Sequence, residues 1–584
     1  MNYKDLRQVL SRRFDIPKER SIKLLVRSFT IAEKAIFFFF LVLFSFSGIA
    51  MAYKVSAAFL VEVPIRGGTF TEGIIGKPRF INPVLAISEA DRNLTALVYS
   101  GLVRVTSDGL FENDLAEEIL ISEDRKTYTV RIRDNAQFHD GVSVTADDVV
   151  FTVQKILEPN IKSPKRGNWD GISVEKLDDR TVVFTLRQAY TPFMYNLTLG
   201  ILPKHIWNGV SADEFAFSLF NTLPIGSGLY EIDRVEQNSG GIPDLYVLVP
   251  FENVHEERPF IENIVFKFYP NEEELISAFR NGAVESIGGI SPERAEELNT
   301  EKSRIISSPL PRVFAVFFNQ NQAKVLLNKE VRQALDLASP KEEIVQIVLK
   351  GYGQIIDGPL PAGAYDWAIP LDTPPFAERI ETAKEILFDA GWEPNEETGI
   401  LEKKSGSSMI SLSFSISTGD APELQAVAEK LALSWQELGA KVNVLVFETG
   451  DLNQNVIRPR NFDALLFGKV VSRDADLYPF WHSSQKNDPG LNIALYTNNQ
   501  ADKLLEDARN LSDSAEIEEN YRAFAEAIKS DIPAVFLYTP SFIYVVPEKV
   551  KNVSLESLKL TQDRFLGIQD WYVETNKVWK TFSN

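Results

Sequence analysis

Along Thr127-Tyr128-Thr129-Val130-Arg131-Ile132-Arg133 apolar and polar side chains alternate with period two, which predicts a strand with one buried face. His139-Asp140-Gly141 then predicts a turn. Thr145 and Asp148 stand at capping-box spacing ahead of Val149, Val150, Val153, Ile156 and Leu157, so a helix follows and stops near Pro159. The same two periods recur down the chain. Residues 259–268 alternate as a strand, and 272–282 read as a helix with Gly282 past its end. Val313-Phe314-Ala315-Val316-Phe317-Phe318-Asn319 is apolar at successive positions, as in a strand covered on both faces. Val331, Ala334, Leu335 and Ala338 share a helical face, Ser339-Pro340-Lys341-Glu342 opens a second helix closed by Gly351, and Leu424, Val427, Ala428, Leu431, Trp435 and Leu438 make a third ahead of a strand at 442–447. Strands alternating with helices predict an α/β fold.

One stretch has neither period. Residues 35–53 carry no charge, and the 34 residues before them hold nine Lys or Arg against four acids. Nineteen uncharged residues at about 1.5 Å each match the hydrocarbon thickness, so this segment is expected to cross a membrane with the basic arm inside. Ala50-Met51-Ala52 keeps a cleaved signal peptide open as the alternative.

Composition narrows the function. At 584 residues the chain is too long for a single core, so two or more domains are expected. The net charge of −20 argues against nucleic acid as a partner. The absence of cysteine excludes thiol catalysis, thiolate metal sites, disulfides and a lipid-bearing N-terminal cysteine. The four histidines, His139, His205, His255 and His482, are scattered, with no H-E-x-x-H and no G-x-S-x-G. His205 reads as a packed structural residue. Glu117-Glu118 and Asp147-Asp148 read as solvated faces or caps. Pro224-Ile225-Gly226-Ser227-Gly228-Leu229-Tyr230 has no Lys-Ser/Thr pair after its glycines, so a phosphate loop fails. No catalytic residue, metal site or cofactor is expected.

The run from Ser122 through Thr127-Tyr128-Thr129-Val130-Arg131-Ile132-Arg133-Asp134-Asn135-Ala136-Gln137-Phe138-His139-Asp140-Gly141 to Thr145-Ala146-Asp147-Asp148-Val149-Val150-Phe151 closely resembles the signature of the family 5 extracellular solute-binding proteins. Ile201-Leu202-Pro203-Lys204-His205-Ile206-Trp207, Pro224 to Tyr230 and Val331-Arg332-Gln333-Ala334-Leu335 resemble further landmarks, so the likeness spans 66–571. The resemblance implies a two-lobed, periplasmic-binding-protein-like class II α/β fold with an extra lobe, preceded by one N-terminal transmembrane helix. The domains expected are a cytoplasmic arm at 1–34, an anchor or signal segment at 35–53, lobe I from 66–111, 225–318 and 541–584, an extra lobe at 112–224, and lobe II at 319–540. It also implies a non-enzymatic receptor that captures a peptide or other small solute in the interlobe cleft and passes it to ABC transporter permease subunits. A monomer on the extracytoplasmic face is expected, with periplasmic or secreted release if the leader is cleaved. A tethered solute sensor and, further off, a hydrolase remain open.

The hinge implied lies in the strands at 312–319 and 537–544, with Phe317, Asn319 and Tyr538 as its residues. The ligand loop departs from the family pattern. Peptide-binding relatives carry tryptophan after the glycine at Gly468 and, three residues on, an aspartate that holds the ligand's α-ammonium; here those places hold Lys469 and Ser472. The ligand-binding candidates are therefore Ser472, with Asp474 or Asp476 from a shifted loop as cation partner, and Tyr478 and Trp481, beside Phe480, as apolar walls.

Overall fold

The structure, a computed structural model, describes residues 28–579 apart from 191, 256, 369–373, 472–475, 512 and 556–557. It divides into two units. The first holds the 29-residue helix Ile31–Phe59, in which Ile31–Met51 is long and apolar enough to cross a membrane, and an antiparallel ribbon of Leu60–Ile65 with Glu574–Trp579. The helix begins before the uncharged stretch because Thr30 caps it: its hydroxyl accepts from the Glu33 amide, and the Glu33 carboxylate accepts from the Thr30 amide at 2.8 Å.

The second unit, Arg66–Val573, is built on a twelve-stranded mixed sheet. Its spine is the 14-residue strand Ala534–Pro547. The first part of this strand pairs antiparallel with Arg312–Phe318 and Gly353–Ile355; the rest pairs with Ser303–Pro309 and Ser286–Gly288. Outward from Arg312–Phe318 come Ala464–Val470, Ser413–Gly419 and Lys441–Phe447. On the other side, Thr69–Ile75 follows Ser286–Gly288, then Asn263–Tyr269, Pro243–Pro250 and Tyr230–Gln237. A separate four-stranded sheet contains Ala116–Ile121, Thr127–Ile132, Thr181–Leu186 and Ile172–Lys176.

The apolar runs are explained by what they separate. Val313, Ala315 and Phe317 enter one buried cluster, with Leu465 and Phe536, while Val316 and Phe318 enter another, with Leu466, Val535 and Leu537. Farther along the spine, Phe542, Tyr544 and Val546 join a third cluster and Ile543 and Val545 a fourth. A strand covered on both faces has no polar side to show. Between these halves only Pro540 and Ser541 are not fully buried, and Pro309, Pro311 and Pro540 converge there. Proline cannot donate to a ladder, so the pairing thins at this crossing. It is closed by the Leu310 amide donating to the Pro540 carbonyl at 2.8 Å and the Ser541 amide to that of Tyr352 at 3.1 Å.

Most of the period-based expectations match observed elements: Thr127–Ile132, Ala146–Leu157, Asn263–Tyr269, Glu272–Arg280, Arg312–Phe318, Lys329–Leu337 and Pro422–Gln436. The helix expected after Ser339 differs. One α-turn, Lys341–Glu343, widens into a π-turn over Ile344–Val348, where β-branched side chains crowd the regular helix. Gly226 and Gly228 are required by close approach: a Cβ at Gly226 would lie 1.9 Å from the Val98 carbonyl oxygen, and one at Gly228 2.3 Å from that of Leu97.

Candidate functional site

The helix Glu89–Val98 buries Ala90, Leu94, Leu97 and Val98 in the core, which leaves the face at Arg92, Thr95 and Ala96, continued by Tyr99, against a cavity of about 290 Å³. Across it stand Lys165, held in the turn where the Lys165 amide donates to Ser163 Oγ, and Tyr195 on the short helix Phe193–Asn196. A second cavity of about 840 Å³ shares Lys165, Asn168, Tyr195, Asn196, Thr198 and Leu560 with the first, so the two form one cleft. Its walls come from both sides of the fold: Arg187 and Tyr190 from the four-stranded-sheet side, and Val471, Asp476, Phe480 and Arg509 from the side of Ala464–Val470.

The inner end of this cleft is polar, cationic and incompletely bonded. Arg92 Nε, Thr95 Oγ1, Tyr99 OH and Gln562 Oε1 are buried without a hydrogen-bond partner among the described residues. Burial lowers the Lys165 ammonium from its ordinary value, and nearby Arg92 lowers it further. Arg312 is lowered mainly by burial, with Glu89 opposing and Arg92 assisting.

The loop singled out in the sequence is partly assembled at the cleft. Ser472 and Asp474 lie outside the described residues. Asp476 lines the cavity, but its carboxylate is engaged: it accepts from Arg509 Nε at 3.0 Å and from the Tyr478 amide at 3.0 Å. Tyr478 stacks on His482 with centroids 4.1 Å apart, and the Arg509 guanidinium sits 3.9 Å from the centre of the Tyr478 ring. Trp481 corrects the expectation of an apolar wall. It is 2 % exposed and packs among Phe317, Tyr496, Phe524 and Phe536, a core ring that leaves Phe480 and Pro479 as the lining side chains. Lys469 is buried under the same rings, its Nζ 4.4 Å from the Phe317 centroid and 4.7 Å from that of Trp481, and 3.3 Å from the Phe480 carbonyl oxygen.

Two of the three expected hinge residues, Phe317 and Asn319, lie away from the crossing, and Tyr538 lies two positions before Pro540. Phe317 and Asn319 are buried at the far end of their strand, with Asn319 Nδ2 donating to the Arg460 carbonyl, and Tyr538 stacks on Phe314 at 4.9 Å. The strands expected to hinge do meet the crossing, at Leu310 and Pro540.

Arg92, Lys165, Arg187 and Arg509 were not singled out by sequence. They lie on four segments separated by up to hundreds of positions, and a net charge of −20 masks a local cationic surface. His139 is held by backbone, its ring receiving the Gly226 amide, and burial pushes it down to about 4. His205 packs beside Phe138 and pairs with Asp140 at 2.7 Å. Among the described residues no group of three or more His, Asp or Glu is placed to hold a metal.

Comparison with known proteins follows the same outline. The family model for bacterial extracellular solute-binding proteins, family 5, matches residues 111–488. The chain is 30% identical over 525 residues to the oligopeptide-binding protein AppA of Bacillus subtilis, covering 87% of this chain and 92% of that one. The solved structure of AppA from Bacillus subtilis in complex with a nonapeptide aligns with a TM-score of 0.66 at 27% identity, over 88% of this chain and all of that one. NikZ from Campylobacter jejuni in complex with Ni(L-His) aligns with a TM-score of 0.68 at 26% identity, over 86% and 99% of the two chains.

Proposed function

The chain belongs to the family 5 bacterial extracellular solute-binding proteins, and on that premise we propose that it captures peptides or similar small solutes for an ABC importer. It is a solute-binding receptor that delivers ligand to a permease. The observation that carries the ligand reading is the cavity of about 840 Å³ walled from both sides of the fold, within the range of small-molecule sites. The lobes expected from the sequence would close over it, bending where prolines thin the pairing, at Leu310 and Pro540-Ser541 in place of Phe317, Asn319 and Tyr538. Closure works only through ligand binding the closed form more tightly than the open one.

Spin labels test this directly, because the chain has no cysteine to label by accident. Cysteines placed at Glu175 and Asn510, both exposed, would report the separation of the two walls by pulsed EPR on the full chain. Adding a tryptic peptide digest is expected to shorten and narrow the distance distribution. An unchanged distribution at saturating peptide rejects closure on peptides.

The same reading has the Ile31–Met51 segment retained as an anchor, with the domain outside the cytoplasmic membrane. Intact mass of the mature protein decides this. A mature N-terminus at Tyr53 rejects the anchor in favour of cleavage.

A further inference from the structure

The charged groups of the cleft can be paired off one by one, and the remainder is lopsided. Arg104 pairs with Glu112 at 2.9 Å, Asp114 with His255 at 2.6 Å, and Asp476 with Arg509. Asp563 accepts from the backbone amides of Lys559 and Leu560. Lys559, which also lines the cleft, apart, what is left among the described lining residues is Arg92, Lys165 and Arg187, none of them in an ion pair with a described residue, against one carboxylate, Asp170, exposed at the rim. Among the described residues the Arg92 side chain donates to the Ile87 carbonyl alone and Lys165 Nζ has no acceptor, and Arg187 lies over Gly171.

Cations collected without anions run against the rest of the molecule. Carboxylates outnumber basic residues by 81 to 61, so an unmatched basic group could find a partner on almost any surface. Holding Arg92 beside Lys165 in a partly buried pocket costs repulsion and desolvation, and both costs are relieved when an anion enters. The buried, unpartnered Thr95 and Tyr99 hydroxyls at the same end supply donors that an oxyanion can accept.

We propose that the cleft selects acidic peptides, with one carboxylate held between Arg92 and Lys165 at the inner end and a second held by Arg187 toward the rim. This rests on the peptide-receptor reading above and reverses the usual anchor: the ligand's negative groups, not its ammonium, are recognised. Arg92 Nε and the Lys165 ammonium donate to the inner carboxylate, and Tyr99 OH donates to its remaining lone pair.

The test is calorimetry on the full chain in detergent with four probes: Glu-Glu-Glu, Ala-Ala-Ala, Lys-Lys-Lys and citrate. Glu-Glu-Glu is expected to bind at least about 10-fold tighter than Ala-Ala-Ala, with Lys-Lys-Lys weakest. Lys165→Gln and Arg92→Gln should each weaken Glu-Glu-Glu by about 10- to 100-fold, and exposed Arg187→Gln, whose fold is not at stake, by about 3-fold. Binding of Ala-Ala-Ala or Lys-Lys-Lys as tight as Glu-Glu-Glu, or unchanged Glu-Glu-Glu affinity in all three variants, overturns the inference and leaves the peptide reading standing. Binding of citrate with no peptide bound removes the peptide reading and keeps the anion-selective cleft. If neither Glu-Glu-Glu nor citrate binds, the inference fails.

Discussion

Two arginines facing the same part of the fold show how differently a charge can be buried. Arg564, 1 % exposed, donates from Nε and Nη2 to Glu72 Oε1 at 3.0 and 2.6 Å, and from Nη1 to Asn93 Oδ1 and the Thr561 carbonyl. The Tyr544 hydroxyl donates to the other oxygen of Glu72 at 2.6 Å. Arg92, on the helix that carries Asn93, has a buried Nε with no acceptor and a cationic neighbour in Lys165. The Arg564 guanidinium finds its acceptors within the chain and ties Thr69–Ile75, Ala534–Pro547 and the 561–565 turn together. The set around Arg92 is complete only when something else arrives. Around Arg564 the acceptors are built into the fold, whereas the open donor of Arg92 faces a cavity that an anion can enter.

The comparison breaks first if Arg564 proves dispensable. Arg564→Met leaves the Glu72 carboxylate buried with Tyr544 alone, and is expected to destabilise the fold by about 3–5 kcal/mol in denaturant titration. Burial already pushes Glu72 up against the pull of Arg564 and Tyr544. Without Arg564 it rises further, so the variant keeps most stability below the unfolded glutamate pKa of about 4.3 and loses it as pH climbs through the folded value. A loss under about 1 kcal/mol at pH 7 would show that the network does not hold the lobe.

A buried lysine sharpens the contrast from the other side. Lys469 is 6 % exposed, has no carboxylate partner among the described residues, and is pushed well below its ordinary value by burial, with Arg460 adding to the effect. The three rings around it favour the charged form by about 2 kcal/mol, less than the several kcal/mol that burying an ammonium costs, so the direction is down. For a base with a depressed folded pKa, stability is lower at neutral pH and rises with pH until the unfolded lysine also deprotonates near 10.4. The wild type should therefore gain up to about 1.4 kcal/mol per pH unit over Lys469→Met inside that window. Parallel pH profiles of the two proteins would reject a depressed Lys469.

How far this was legible in the sequence depends on whether a residue's role is local. The strand Thr127–Ile132 and the helix Ala146–Leu157 follow from their own periodicity, and the apolar run at 313–318 announced a strand covered twice. The family wording at 122–151 was specific enough to give the two-lobed fold class. The ligand side was harder. Trp481 carries a large ring in the loop after Gly468, yet only the packing of Phe524 and Phe536, more than forty residues on, reveals it as core. Arg92 and Lys165 looked like two ordinary surface charges because the cavity between them is made by tertiary structure.

The smallest expected effect is at Lys165, and it carries the comparison's least obvious consequence. If this lysine were structural, removing it would lower stability as Arg564→Met does. Its folded pKa is depressed by burial and by Arg92, so the charge opposes folding below that pKa and the opposition fades as pH rises toward the unfolded value near 10.4. Lys165 is only partly buried, so solvent screens much of this, and Lys165→Met is expected to leave the ligand-free protein unchanged or more stable by under about 1 kcal/mol. The gain should be present at pH 7 and vanish near pH 10.5. Denaturant midpoints of the two proteins at both values measure it, and a clear loss of stability at pH 7 would place Lys165 with Arg564 among the charges that hold the fold.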